Sequence, residues 1–424
     1  MVPRPVDADL FRHRFVVYCP GPLKRSRSAL RREVRLAGAA LAVVALLAGS
    51  CAKNPPAAAD PIVDKGKALY ATYCATCHGA GRNGYVADNA PSLRTDSFLA
   101  TASDAFLRAA VTRGRPGTAM GAYGRALGGP LAPEDVNALI AFMQNGGPPP
   151  LDLPPTPVVG SAKEGKVVYD TLCTRCHGTQ TARASAVHLA NPILLETASD
   201  AFLRHAVVNG RPPTSMISWT GTLGPKQIDD VVAYVRSMAT SPGVPALPPP
   251  PPSPGPAAPP RTGPIVINPR GRPPAFTLKE NLYVSIDQVK TAMDLKRRLI
   301  IVDARSPAEW LNLHIAGAIS TPHYDPKSLD DIPNDGTWVL AYCACPHHVS
   351  GEVVEALRKR GYKHTAVIDE GIFAWQQKKY PVVAAPGLPA VPAPPPPPVA
   401  AAPPPSTATP APIAAPARRI AAKH

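Results

Sequence analysis

Apolar residues change rhythm along this chain, and the changes divide it. In the stretches leading to Cys74 and Cys173 they recur about every 3.6 residues, which predicts amphipathic helices. Ser103 stands as an N-cap ahead of Phe106 and Leu107, which are predicted to face a core. Pro133, Glu134 and Asp135 suit the first turn of a further helix, with Leu139, Ile140 and Phe142 following. Beyond residue 276 the rhythm is lost. Segments 299–302 and 338–342 are short unbroken apolar runs, suited to buried parallel strands. Segment 351–360 reads as a helix and 365–368 as another strand. That alternation predicts a parallel sheet covered by helices.

The helical half repeats itself. Gly66-Lys67-Ala68-Leu69-Tyr70 ahead of Cys74 matches Gly165-Lys166-Val167-Val168-Tyr169 ahead of Cys173, at an offset of 99. The eight residues from Thr101 to Arg108 recur unchanged from Thr197 to Arg204, offset 96, and Gly114-Arg115-Pro116 with Met120 recurs as Gly210-Arg211-Pro212 with Met216. The closing helix recurs at offset 92, so the second copy has lost residues in its loops. Two homologous all-α domains, 60–147 and 158–240, are expected, joined by the Pro-rich stretch 148–157. A second Pro-rich linker, 241–275, leads to the α/β domain at 282–383, and an Ala/Pro-rich tail, 384–424, follows. Pro-rich linkers are semi-rigid spacers, so the domains are expected to lie apart with variable orientation.

Composition changes this picture in two places. The net charge of +15 suggests nucleic acid at first, but +7 of it sits in residues 1–53, and the three predicted domains carry only +1, +2 and 0. No folded region has the basic face that phosphate binding needs, which excludes a nucleic-acid partner. The N-terminal excess belongs to a leader, 1–51. Basic residues from Lys24 to Arg35 precede thirteen uncharged apolar ones, 36–48, too short to span a bilayer but suited to a signal peptide. Leu47-Ala48-Gly49-Ser50-Cys51 resembles a bacterial lipoprotein cleavage box, implying a lipid anchor on Cys51 and a location on the periplasmic side of a membrane; a plain signal peptide or an uncleaved anchor is the alternative. Leu23 is a candidate start, and Arg31-Arg32 only weakly fits a twin-arginine signal.

The eight cysteines are grouped rather than dispersed, which is the spacing of site chemistry and not of a disulfide scaffold. Cys74-Ala75-Thr76-Cys77-His78 and Cys173-Thr174-Arg175-Cys176-His177 both match the c-type haem attachment motif. Cysteines three apart on a helical turn share a face and can bond both vinyl groups, and the histidine then reaches the iron. Zinc is the competing reading, but zinc would normally need a second answering pair. Met120 and Met216, at equivalent positions in Gly- and Pro-containing loops, are the candidate second iron ligands; Met143 faces Val235 in the other copy and reads as core. His188 and His205 are rival ligands for the second site, though neither has a counterpart in the first copy. The arrangement resembles the class I cytochrome c family over both copies. The resemblance implies two covalently bound haem c groups, three to four helices around each, and electron transfer without chemistry at iron.

In the α/β region, Asp303-Ala304-Arg305, His314-Ile315-Ala316-Gly317-Ala318 and Asp369-Glu370-Gly371-Ile372-Phe373-Ala374-Trp375 resemble the rhodanese family across about residues 282–383. Glu370 stands where that family commonly has a second glycine. The resemblance places Cys343 at the nucleophile position, between a strand and a helix whose N-terminal N–H groups would lower its pKa and hold an anionic persulfide. Cys345-Pro346-His347-His348 has no arginine where the family often has one, leaving His347 or His348 to supply charge and Cys345 either to resolve a persulfide or to stand by. The expected architecture is thus multidomain: two all-α cytochrome c domains, then an α/β rhodanese-like domain, joined by Pro-rich linkers. The expected function is electron transfer to redox partner proteins of a respiratory or sulfur-oxidising chain, with sulfane sulfur from a donor carried on Cys343. Two rival readings stay open: a pure electron carrier with a catalytically silent rhodanese-like binding module, and a thiosulfate:cyanide sulfurtransferase with accessory cytochromes.

Overall fold

The structure is a computed structural model that describes residues 60–240, 265–344 and 348–384. The leader with Cys51, the tail, and Cys345, Pro346 and His347 lie outside the described residues.

Each repeat folds around a crossing of its first and last helices. In the first copy these are α1 (Pro61–Tyr73), capped by the Asp60 side chain, and the closing helix α5 (Pro133–Gln144). Between them lie α2 (Ala75–His78), α3 (Asp96–Leu99) and α4 (Asp104–Arg113). Ser103 caps α4 by accepting from Phe106 N at 3.2 Å, and Phe106 and Leu107 are buried as the pattern predicts. The second copy repeats the order: α6 (Ala162–Leu172), α7 (Thr174–His177), α8 (Pro192–Thr197), α9 (Asp200–Asn209) and α10 (Pro225–Ser237). Among the described residues each copy has three long helices, two shorter α-helical segments and a 3-10 turn, and one of the shorter segments is the cysteine motif itself.

The crossing explains the shared glycine. A Cβ on Gly66 would sit 1.9 Å from the Ala138 carbonyl oxygen, and one on Gly165 only 1.8 Å from the Asp230 oxygen. No side chain fits between backbones this close. Tyr70 and Tyr169, one turn on, are almost wholly buried and donate from their hydroxyls to the Gly79 and Gly178 carbonyls at 2.9 and 3.0 Å.

The two copies do not lie apart. Phe98 and Phe106 meet Phe202, the latter pair with ring centroids 4.9 Å apart. Arg183 grips Asp88 with two bonds of 2.8 and 2.5 Å, and Arg211 donates to Ser97 and Thr101 of the first copy. Apolar burial with satisfied charges outweighs the stiffness of the short linker, whose Leu151 N–H itself bonds back to Ala100.

The C-terminal domain has a five-stranded parallel sheet in the order β1 (Tyr283–Val284), β6 (Thr365–Ile368), β5 (Trp338–Tyr342), β2 (Leu299–Asp303), β4 (Ile319–Ser320). β3 (His314–Ile315) and β7 (Val382–Val383) form a separate antiparallel pair. Helices α11 (Ile286–Asp294), α12 (Pro307–Asn312), α13 (Val349–Lys359) and α14 (Gly371–Gln377) complete it. Every residue of β2 is buried, as an unbroken apolar run requires, and its side chains alternate between two cores. Helix α13 begins at Val349, ahead of the expected Gly351, and so starts close to Cys343.

Candidate functional site

Both cysteine motifs are complete helical turns. His78 N donates to the Cys74 carbonyl and His177 N to that of Cys173, each at 2.9 Å. The imidazoles are then oriented alike: His78 Nδ1 lies 2.9 Å from the Pro91 carbonyl and His177 Nδ1 2.8 Å from that of Val187. A carbonyl only accepts, so Nδ1 carries the proton and Nε2 keeps its lone pair for a metal. Burial holds both imidazoles below their usual pKa, with the carbonyl bond opposing, so the neutral, ligating form is favoured. Pro91 and Val187 were not foreseen; their roles rest on backbone oxygens, which no motif spells out.

The methionine loops are also duplicates. Arg115 N donates to the Met120 carbonyl and Arg211 N to that of Met216, each at 2.7 Å. Thr118 and Thr214 hydroxyls accept from the Met120 and Met216 amides at 3.1 and 3.2 Å. Gly114 and Gly210 open the loops at φ +69° and +64°, and a Cβ on either would strike the methionine carbonyl. Such closed loops fix the backbone at Met120 and Met216, which are half-buried, whereas Met143 is buried among apolar neighbours. His188 Nε2 lies 2.9 Å from the Thr179 carbonyl, so its ring is held by the other nitrogen from the one that holds His78 and His177. Two cysteines and an oriented neutral histidine on each copy, with a methionine in a closed loop, are a donor set whose chemistry fits haem c. When bound, that group supplies a one-electron iron centre, and Cys74, Cys77, His78 and Met120, or Cys173, Cys176, His177 and Met216, are the residues that would hold it. Beside each loop a guanidinium is buried over a ring, Arg115 over Phe106 and Arg211 over Phe202, with Arg115 Nη1 and Arg211 Nη2 lacking partners. Burial lowers both pKa values to about 10.

In the α/β domain, Cys343 ends the central strand β5 and is buried, its Sγ 3.3 Å from Ser350 Oγ on α13. The carboxyl ends of parallel strands are where such sheets place their sites. Gly371, at φ +70°, lets the closing segment pass beneath: a Cβ there would be 2.7 Å from the Cys343 carbonyl, which accepts from Ile372 N at 3.0 Å. Asp303 and Arg305 are a buried pair at 2.6 Å, and Tyr342 donates to the same carboxylate at 2.6 Å. They tie together the ends of the neighbouring strands β2 and β5. Burial pushes the nearby Glu309 carboxyl up to about 7, opposed by Arg305.

Residues 61–143 and 160–235 match the family described as cytochrome c oxidase, cbb3-type, subunit III, and residues 285–378 match the rhodanese-like domain. Two cytochrome c domains are fused to a rhodanese-like domain. The cytochrome part is 29% identical over 181 residues to the cbb3-type cytochrome c oxidase subunit FixP of Azorhizobium caulinodans, covering 41% of this chain and 59% of that protein. It is likewise 29% identical to the CcoP subunit of Azospirillum sp., over 41% of this chain and 61% of the other. The chain thus spans about three fifths of the oxidase subunits it matches. The rhodanese-like part is 32% identical over 97 residues to the probable adenylyltransferase/sulfurtransferase MoeZ of Mycobacterium tuberculosis, covering 22% of this chain and 24% of that one. Among solved structures, a rhodanese-like domain from Anabaena is similar at 21% identity, a TM-score of 0.23 and coverage of 24% and 78%. Cytochrome c domains carry covalently bound haem c, and the cytochrome c and rhodanese-like domains together support electron transfer with a relation to sulfurtransferases.

Proposed function

We propose that this protein is an exported electron carrier with two haem c groups, one on each cysteine motif, and that its rhodanese-like domain handles sulfane sulfur as a persulfide on Cys343. The observation that carries the reading is duplication: two oriented histidines and two closed methionine loops, built from recurring local sequence and held by the same kinds of hydrogen bond. The oxidase-subunit relatives support partners in a respiratory chain. The lipoprotein-like box supports anchoring through Cys51 on the periplasmic side.

For the sulfur step, the Cys343 thiolate attacks the outer sulfur of a donor such as thiosulfate. A new S–S bond forms, the S–S bond of thiosulfate breaks, and sulfite leaves with the electron pair. The start of α13 supplies N–H groups for the anionic product.

Pyridine haemochrome quantification should give two c-type haems per chain, and fewer would remove the first half of the proposal. Intact mass after thiosulfate treatment should show one added sulfur atom, absent in Cys343→Ser. One observation favours the silent-module reading, which is that Cys343 is only 2% exposed. An unchanged mass would decide for it.

A further inference from the structure

The rhodanese-like domain is seated on the first cytochrome copy, against both parts that frame its haem site. Thr76, inside the Cys74–His78 turn, donates to Glu352 Oε1 at 3.0 Å. Glu352 lies on α13, the helix that starts at the Cys343 loop, and its other oxygen meets His323 Nδ1 at 2.8 Å. Tyr73, beside Cys74, packs edge-on to Tyr324 with centroids 4.9 Å apart, and Tyr123 stands 6.4 Å from the same ring. On the methionine side, Ala119 packs against the α/β core, and a Cβ on Gly121 would lie 2.1 Å from Glu309 Oε2.

Among the described residues, the second copy does not share these contacts with the rhodanese-like domain. Where the first has Tyr73, Thr76 and Gly121, the second has Leu172, Arg175 and Ile217. Arg175 is exposed and Ile217 is 60% exposed. An isoleucine could not take the place of Gly121 against Glu309. The choice of copy is therefore written in side-chain size.

We propose that the first copy is the dedicated, built-in partner of the Cys343 site, so that charge held at Cys343 acts on the first haem site alone. This rests on the function proposed above and deepens it. A persulfide anion on Cys343 favours the more positive, oxidised state of a nearby iron centre, and so lowers its midpoint potential. The second copy, without this contact, keeps its own. By linkage, reduction of the first site weakens anion loading by the same factor.

The test is an equilibrium redox titration of the full chain, followed in the haem bands, with and without thiosulfate, the sulfur load being read by intact mass. With sulfur on Cys343, one of two midpoint potentials should fall and the other stay. Gly121→Ile should keep both haems and the sulfur load while abolishing the shift. Sulfur loading that moves both potentials equally, or neither, overturns the proposal, as does an unaltered shift in Gly121→Ile. Should no sulfur load, the persulfide reading falls by itself, and Glu352→Gln then decides the linkage. Removing that charge should raise one potential only, and two unmoved potentials overturn it.

Discussion

The two cytochrome copies share a scaffold and differ in what touches them. Both close a glycine-mediated helix crossing, both aim Nδ1 of the motif histidine at a carbonyl, and both lock a methionine loop with the same backbone bond. The first copy meets the rhodanese-like domain at its cysteine motif and beside its methionine loop, and among the described residues the second copy does not. Residues that build the site are thus preserved between copies, whereas Tyr73, Thr76 and Gly121, which meet the rhodanese-like domain, are replaced in the second copy. The lesson is that internal repeats separate the roles of residues without any other sequence for comparison.

The largest effect is expected from the motifs. Replacing Cys74 and Cys77 by serine should leave one c-type haem by pyridine haemochrome, and replacing Cys173 and Cys176 should do the same; unequal outcomes would show that the copies are not equivalent sites. Next come the crossings. Gly66→Ala and Gly165→Ala should each destabilise their own copy by about 1–3 kcal/mol, read in thermal melts followed at the haem band, because the added carbon forces two backbones apart. A smaller change is expected at the contact between copies. Arg183→Gln leaves Asp88 without its bidentate partner and should cost about 1–2 kcal/mol, with faster proteolysis in 148–157 and unchanged haem content. A pH effect is also expected on the covered face. The Glu309 carboxyl is raised from its ordinary 4.5 to about 7, so its stabilising contribution is complete below the lower value and is lost as pH rises through the higher one. Glu309→Gln should flatten the melting temperature across that window, and Gly121→Ile should return the slope toward acid pH.

The three longest strands of the α/β domain were legible because they are unbroken apolar runs, whereas the four two-residue strands are too short to show a pattern. Runs 338–342 and 365–368 correspond to β5 and β6, and β2 extends the first run by one residue, to Asp303. Helix α13 was read late because Gly351 looks like a start, yet the helix runs through it. The histidine-orienting carbonyls of Pro91 and Val187 could not be read, since every residue but its side chain offers the same oxygen. The separation predicted from the Pro-rich linkers was overturned by Phe98, Phe106 and Phe202, three apolar rings that bury one another across the copies.

The amino-acid sequence alone determined the two Cys-x-x-Cys-His motifs, the duplication around them, the methionine pair, and the change from helical to parallel-sheet folding. All of these depend on spacing within a few turns of chain, and periodicity and repeats record such spacing directly. Tertiary structure alone decided which carbonyl fixes each imidazole and which copy meets the Cys343 domain. Those outcomes depend on atoms far apart in sequence: Gly121 has meaning only once Glu309 stands against it, and Thr76 only once Glu352 is there to accept its hydrogen bond.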